Sequence, residues 1–215
     1  PFIRPTARLK AILFTRSKAR LSMSRFLILL CLCFLPFQAR AAEIDPDRLI
    51  RPELLGKAVK AMSRHADLTH SRQLVVVDYS LHSAKERLFI VDLDTGLVSA
   101  YRTTHGRGSD KDHDGFLDAF SDVPGSSASP QGAYLTAEEY YGKHGRSLRL
   151  DGLDKTNANA RRRAIVIHSA AYAEPAMIDN YGKLGRSNGC IAFSRTDLDT
   201  FMTLVPQGTL IYVGR

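Results

Sequence analysis

The chain has 215 residues, of which 44% are hydrophobic, and its 30 Lys and Arg against 22 Asp and Glu give a formal net charge of +8. The first 41 residues hold eight of the basic side chains and no acidic one. Subtracting those eight from 30 leaves 22 basic against 22 acidic side chains, so the rest of the chain is formally neutral. A nucleic-acid-binding domain needs a basic face, and the composition therefore excludes that class.

The N-terminal region predicts an export signal. Arg25 precedes an apolar core at 26–37, and small residues at 39–41 give a cleavage site, so we interpret 23–41 as a signal peptide. The apolar core is shorter than the roughly 20 residues that a membrane-spanning helix needs, and we expect no stable membrane span after cleavage. Residues 1–22, which contain no initiator Met, are interpreted as a non-native upstream extension.

The remaining sequence predicts a mainly β domain with two peripheral helices. Apolar residues at helical spacing predict a helix over 52–64, in an N-terminal helical segment at 42–72. Short β-rich runs predict strands at 74–79, 87–92, 97–101, 133–141, 147–150, 164–167, 190–193 and 209–213. A capping box at 194–197 begins a second helix near the C-terminus. We expect sheet-on-sheet packing in a single domain at 73–215.

One cysteine stands apart from the signal segment. Cys31 and Cys33 lie in the apolar core, whereas Cys190 lies in the predicted domain. A lone thiol in an exported protein has no disulfide partner, so its reactivity has to explain its presence. His168 ends the strand predicted at 164–167, and the pair indicates a Cys–His nucleophilic enzyme. The alternatives are a structural histidine and a small buried cysteine.

The segment Gly185-Arg186-Ser187-Asn188-Gly189-Cys190 is a turn bracketed by glycines. The consecutive N–H groups of Gly189 and Cys190 are predicted to converge on a developing oxyanion.

Residues 165–193 resemble the signature of the L,D-transpeptidases, the YkuD-like catalytic domain, in which a histidine strand precedes a Ser-x-Gly-Cys turn. The resemblance is narrower to the murein L,D-transpeptidase subgroup and runs from 74 to 213. Its supporting segments are His105-Gly106-Arg107-Gly108-Ser109, Val123-Pro124-Gly125-Ser126, Gln131-Gly132-Ala133-Tyr134-Leu135, Tyr140-Tyr141-Gly142-Lys143-His144-Gly145 and Gly185-Arg186-Ser187.

This resemblance implies an L,D-transpeptidase-type β-sandwich that acts on peptidoglycan peptide stems in a Gram-negative periplasm, without a cofactor. Carried over, Cys190 attacks the diaminopimelate carbonyl of a tetrapeptide stem, His168 takes the thiol proton, and the carbonyl of Ser169 orients the imidazole. A neighbouring stem amine then resolves the thioester. Two alternatives stay open: hydrolysis of the stem or of the 3–3 cross-link, and a non-catalytic wall-binding module. Nothing in the sequence indicates the oligomeric state.

The chain departs from the family at Ala192, where members carry an arginine two residues after the cysteine. We expect Arg186 or Arg107 to bind the stem carboxylate instead. Tyr134 is predicted to line the groove, with a place in the core as the alternative. The predicted substrate-binding residues are Arg107, Tyr134, Arg186, Ser187 and Asn188.

Asp110, Asp112, Asp114 and Gly115 have the spacing of a calcium loop. The twelfth place holds Ser121 rather than the bidentate Glu, so a solvated acidic loop is the alternative. The other histidines show no metal-ligand spacing, and we predict no metal in the catalytic site.

Overall fold

The structure, a computed structural model, describes residues 43–215, which form mostly β-sheet. The strands in chain order are β1 (Gln73–Asp78), β2 (Leu88–Asp92), β3 (Val98–Tyr101), β4 (Gly132–Gly142), β5 (Gly145–Gly152), β6 (Val166–Ser169), β7 (Ile191–Phe193) and β8 (Leu210–Gly214). They make one eight-stranded sheet in the order β3-β2-β1-β8-β4-β5-β6-β7. The predicted mainly β fold with peripheral helices is therefore confirmed.

Three α-helices accompany the sheet in the described range: α1 (Pro52–Arg64), α2 (Pro175–Tyr181) and α3 (Arg195–Leu204). Helix α1 begins at Pro52, where a missing N–H costs no helical hydrogen bond. The Asp197 N–H donates to Oγ of Ser194 at 3.1 Å, so the predicted cap starts α3. Helix α2 was not predicted, because its seven residues bury no side chain and show no apolar stripe.

The sheet separates two apolar cores. Side chains alternate along a strand, so the neighbours Val75 and Leu74 of β1 belong to different cores. Val75 shares its core with Phe201 of α3, and Leu74 shares the other with Leu54 of α1. Each such buried side chain contributes about 1.5–3 kcal/mol. Helix α1 contributes to one of these cores and α3 to the other. Apolar runs show that a strand is buried on both faces but not what covers it.

The C-terminal strand completes the centre of the sheet. Strand β8 pairs in parallel with β1 and antiparallel with β4, so it joins the β1–β3 meander to the β4–β7 part. At the far edge, β5 pairs antiparallel with β6 and β6 pairs in parallel with β7. This edge carries the predicted catalytic histidine.

None of the helices in residues 43–215 has the length and apolar character needed to cross a membrane. The predicted signal peptide and upstream extension, residues 1–41, lie outside the described residues.

Candidate active site

A cleft with a volume of about 370 Å³ opens beside β6 and β7. Five of the predicted site residues line it, namely His168, Arg186, Ser187, Asn188 and Cys190. The lining also includes polar side chains that the sequence did not indicate as a set, namely Tyr140, Lys143, His144, Arg163 and Tyr172. Among the described residues, no carboxylate lines this cleft. Its charged lining side chains are therefore basic.

The turn before β7 brings the thiol to the cleft that the imidazole lines. His168 of β6 lies opposite Ala192 of β7. Cys190 lies in the turn directly before β7, and both Cys190 and His168 line the cleft.

A backbone contact sets the tautomer of His168. Its Nδ1 lies 2.9 Å from the carbonyl oxygen of Ser169. A carbonyl only accepts hydrogen bonds, so Nδ1 carries the proton and Nε2 is left as an acceptor. Burial lowers the pKa of His168; the bond to Ser169 opposes this, and the charges of His144 and Lys143 lower the pKa further. The imidazole is therefore neutral and able to take a proton.

The Cys190 thiol rests in its protonated form. Burial raises the pKa of the Cys190 thiol, although a backbone hydrogen bond from Val166 and the charges of Arg163 and Lys143 act in the opposite direction. Its Sγ donates to the Ala164 carbonyl at 3.5 Å. Within residues 43–215, no hydrogen bond joins this thiol to His168. Proton transfer between them therefore requires the thiol to exchange Ala164 for the imidazole.

The glycine turn is braced by the Ser187 hydroxyl. Oγ of Ser187 donates to the Cys190 carbonyl at 2.7 Å and accepts from the Gly189 N–H at 3.0 Å. Gly189 has φ +115°, and a Cβ there would lie 2.6 Å from the Ala128 carbonyl oxygen, so only glycine fits. The predicted oxyanion role of the Gly189 and Cys190 amides remains a prediction. The Gly189 N–H has to leave Ser187 to take it up.

The other predicted substrate-binding residues occupy three different environments. Arg186 lines the cleft, and its guanidinium donates to the backbone carbonyl of Asp110. Asn188 is exposed on the rim. Arg107 is exposed outside the lining, where its N–H donates to the Ser187 carbonyl at 2.8 Å.

Tyr134 lies in the apolar core instead of the cleft, so the predicted groove position is corrected to the alternative one. It is 1% exposed, and its hydroxyl donates to the Pro130 carbonyl at 2.8 Å. A buried tyrosine whose hydroxyl finds a backbone acceptor fits a core position.

A buried polar chain holds the loop before β4 beside the glycine turn. Nη2 of Arg87 contacts Nδ1 of His105 at 2.9 Å, and Nε2 of His105 contacts the Asp110 carboxylate at 2.9 Å. Burial and the charge of Arg87 lower the pKa of His105 to about 4, so this ring is neutral. Since Asp110 also holds Arg186, the chain connects the interior to the cleft.

The acidic loop brings its carboxylates together. Oxygens of Asp110, Asp112 and Asp114 lie within 4.8 Å of one another. The Asp110 carboxylate, however, already accepts from His105 and from the backbone N–H groups of Asp114 and Gly115. The cluster therefore adds no support to the calcium interpretation.

Two features of the sequence could have identified the additional cleft residues. Lys143 and His144 stand between two glycines, which is a hairpin-turn signal, and the β4–β5 hairpin does turn there. Arg163 ends a run of three arginines, with two residues between it and the start of β6. Neither signal states that the residue faces the thiol, because that depends on how β5, β6 and β7 align.

A thiol and a strand-end imidazole in one basic cleft on a mainly β domain resemble the site of the L,D-transpeptidase class. The chain belongs to the L,D-transpeptidase catalytic domain family, which it matches over residues 47–213. The predicted recognition is thereby confirmed. No curated protein matches the chain.

Several solved structures are similar to the chain. The match to Bdellovibrio bacteriovorus Bd1075 has 14% sequence identity and a TM-score of 0.43, and it covers 67% of this chain and 48% of that protein. The match to an L,D-transpeptidase from Mycobacterium smegmatis has 14% identity and a TM-score of 0.41, and it covers 67% of this chain and 59% of that protein. The match to L,D-transpeptidase 3 from Mycobacterium tuberculosis, in complex with a faropenem-derived adduct, has 16% identity and a TM-score of 0.44, and it covers 67% of this chain and 60% of that protein. The chain thus spans between 48% and 60% of the length of these proteins.

Proposed function

We propose that this protein is a periplasmic peptidoglycan L,D-transpeptidase that works through a Cys190 acyl-enzyme. Membership of the L,D-transpeptidase catalytic domain family supports transpeptidase activity. The observation that carries the cysteine mechanism is that Cys190 and His168 line one open cleft, with the Nε2 of His168 left free by the bond from Nδ1 to Ser169. The substrate is the tetrapeptide stem of peptidoglycan.

Acylation begins from a neutral thiol and a neutral imidazole. Nε2 of His168 takes the proton as Sγ of Cys190 turns from Ala164 to the carbonyl carbon of the third stem residue. The thiolate is the attacking species, and the positive charges of Arg163 and Lys143, which lower the pKa of the thiol, favour its formation. The new S–C bond gives a tetrahedral oxyanion.

The oxyanion is held by the backbone N–H groups of Gly189 and Cys190. The Gly189 N–H shifts from Oγ of Ser187 to the oxyanion, so this interaction strengthens as the negative charge develops. Collapse of the intermediate breaks the amide bond to the terminal D-alanine. The imidazolium of His168 returns its proton to the departing amine, and a thioester remains.

Transfer repeats these steps in reverse order. The amine of a neighbouring stem attacks the thioester carbonyl and gives a proton to His168. The C–S bond breaks, the proton returns to the sulfur of Cys190, and an amide bond cross-links the two stems. No net redox change occurs and no cofactor is consumed.

Basic side chains supply the recognition of the stem carboxylates. Arg186 lines the cleft and is held by Asp110, so its guanidinium is positioned in advance. Arg186 thereby replaces the arginine that many family members carry at the position of Ala192. Lys143 is exposed at the cleft and has no ion pair among residues 43–215. Arg107 binds a stem carboxylate at the rim of the cleft.

The test is a muropeptide digest of sacculi incubated with the protein, with Cys190→Ala as the matched control. New 3–3 dimers that the control does not form are the expected result. Shortened or separated stems without new dimers would instead identify hydrolysis by water. If the parent and the control give the same digest and a carbapenem leaves the intact mass unchanged, the enzyme proposal fails.

A further inference from the structure

The hairpin between β4 and β5 brings a second histidine onto His168. Gly142 pairs with Gly145, so Lys143 and His144 form the whole turn. The imidazole of His144 stacks on that of His168, with 4.2 Å between ring centroids and 24° between ring planes. The acyl-transfer steps use His168 but leave this contact without a role.

Main-chain pairing holds the turn at this position. Ser147 of β5 pairs with His168 of β6, so the turn lies three residues from that pair. Oγ of Ser147 donates to the Gly145 carbonyl at 3.1 Å, and Gly145 adopts φ +75°, which glycine accepts without strain. The register that places His168 at the cleft therefore also fixes the place of His144.

The stack restrains a movement that the hydrogen bond leaves free. The contact between Nδ1 of His168 and the Ser169 carbonyl fixes one edge of the ring, but the ring can still tilt about that bond. A nearly parallel ring at 4.2 Å blocks the tilt on one side. A base has to lie within about 2.6–3.2 Å of the proton that it removes, so a restraint on the tilt of the ring controls where Nε2 lies when the thiol turns from Ala164 towards it.

The stack also couples the charges of the two rings. Burial is the main cause of the lowered pKa of His168, and the positive charge of His144 lowers it further. Burial and the charge of Lys143 lower the pKa of His144 in turn. The titratable and charged groups that face His168 across the cleft are Tyr140, Lys143, His144, Arg163, Tyr172, Arg186 and Cys190. Within the described residues this set contains no carboxylate that would favour a protonated imidazole.

We propose that His144 is a positioning residue for acyl transfer, which holds the His168 imidazole against tilting and, once it is itself protonated at lower pH, opposes protonation of His168. It does so through ring stacking at the hairpin turn, without contact to the reacting atoms. This inference rests on the proposed function, because both concern the same cleft.

The experiment measures the alkylation rate of Cys190 by iodoacetamide as a function of pH. His144→Ala removes the stacked ring, and we expect the rate at neutral pH to fall about tenfold, because small displacements of a catalytic group cost this much or more. His144→Phe keeps a flat ring without a charge. We expect this variant to retain the parent rate, with its acid limb moved to higher pH because the pKa of His168 rises.

Tyr141→Ala is the matched control, since Tyr141 lies on the same hairpin with 79% of its surface exposed. It should leave both the rate and the pH profile of the parent unchanged. A merely structural role for His144 predicts that Phe does not move the acid limb.

Two outcomes would overturn the inference. One is a His144→Ala variant with the parent rate and profile, and the other is a Phe variant as slow as the Ala variant. If the Ala variant does not fold, the pH profile of the Phe variant decides. If the parent thiol reacts no faster than the same chain in urea, the nucleophile itself is refuted, and the proposed function fails together with the inference.

Discussion

Two regions of the sheet are built from similar apolar strands but handle charge differently. At β1, inside the sheet, the buried carboxylate of Asp78 is paired with Arg51 through contacts of 2.6 and 3.0 Å. At the β6–β7 edge, Arg163 donates to two backbone carbonyls and lies 3.5 Å from the Asp122 carboxylate, but no carboxylate lines the cleft in the described residues. The first region pairs its buried charge, whereas the lining of the cleft also contains Lys143, which has no ion pair among residues 43–215.

The strands of both regions are buried, but only β7 lies beside the cleft. Strand β1 is buried along almost its whole length, and α1 packs on it. Strand β7 has only three residues, but these are also buried. His168 therefore stands on a strand, whereas Cys190 lies in a turn that hydrogen bonds to Ser187 hold.

The largest expected effect comes from Cys190→Ala, at the cleft beside β6 and β7. It removes the nucleophile, and we expect cross-linking to fall by at least roughly 10³-fold. The melting temperature should change little, because the side chain is small and reaches the cleft. A muropeptide digest measures the activity, and calorimetry measures the stability. A variant that still forms 3–3 dimers would contradict the assignment.

His168→Gln tests the proposed general base in the same cleft. Gln can still donate to the Ser169 carbonyl but cannot accept a proton at neutral pH, so we expect a loss of roughly 10²–10⁴ in kcat/KM. The variant should also lose the acid limb of the parent's pH profile. Retention of that limb would mean that another group acts as the base.

At β1, Asp78→Asn should lower the stability of the fold and leave the reactivity of the Cys190 thiol unchanged. Burial raises the pKa of Asp78, but hydrogen bonds from Arg51 and Ser80 outweigh this, so the net pKa is lowered. We expect the free energy of unfolding to fall by about 2–3 kcal/mol, below the value for a fully buried pair because Arg51 is 41% exposed. Urea unfolding at neutral pH measures the loss, and the iodoacetamide rate of Cys190 provides the control.

The pH dependence of this loss has a definite sign. A lowered pKa in the folded state stabilises the protein above the ordinary pKa of the carboxyl group, and the contribution disappears as the pH falls through the folded value. The difference between the parent and Asp78→Asn should therefore shrink below about pH 4. A constant difference down to strong acid would show that the loss comes from packing and not from the charge pair.

The smallest expected effect comes from Lys143→Met. Lys143 is the last of the groups that lower the pKa of His168, so its removal should move the acid limb to higher pH. It should also weaken stem binding, seen as a severalfold rise in KM at most, since the contribution of one exposed charge is about 0–1 kcal/mol. A large fall in kcat would assign Lys143 a more direct part.

The elements that the sequence predicted well are those with a strong local signal. Pro52 and the apolar stripe set the bounds of α1, and the cap at Ser194 sets the start of α3. Each of the eight predicted strands overlaps an observed one. Cys190 and His168 were predicted as the site for the same reason, since each stands next to a recognisable turn or strand end, and both line the cleft.

The remaining features depend on contacts between distant segments. Strand alternation cannot tell whether Tyr134 faces the cleft or the core, because both faces of the sheet are covered. His144 reaches His168 only because β4, β5 and β6 align in one register. Helix α2 buries no side chain, so it left no apolar period to read.

Strand β8 has a consequence for how the protein reaches its folded state. In the described part of the chain, this strand is the hydrogen-bonded link between the β1–β3 meander and the strands that carry the cleft. Within residues 43–215, Leu210–Gly214 follows the other seven strands in sequence, so it pairs with segments that are distant along the chain. Such long-range pairing is slow, and until it forms, β1 and β4 each present an open edge. We therefore expect the pairing of β8 to be a late step in folding.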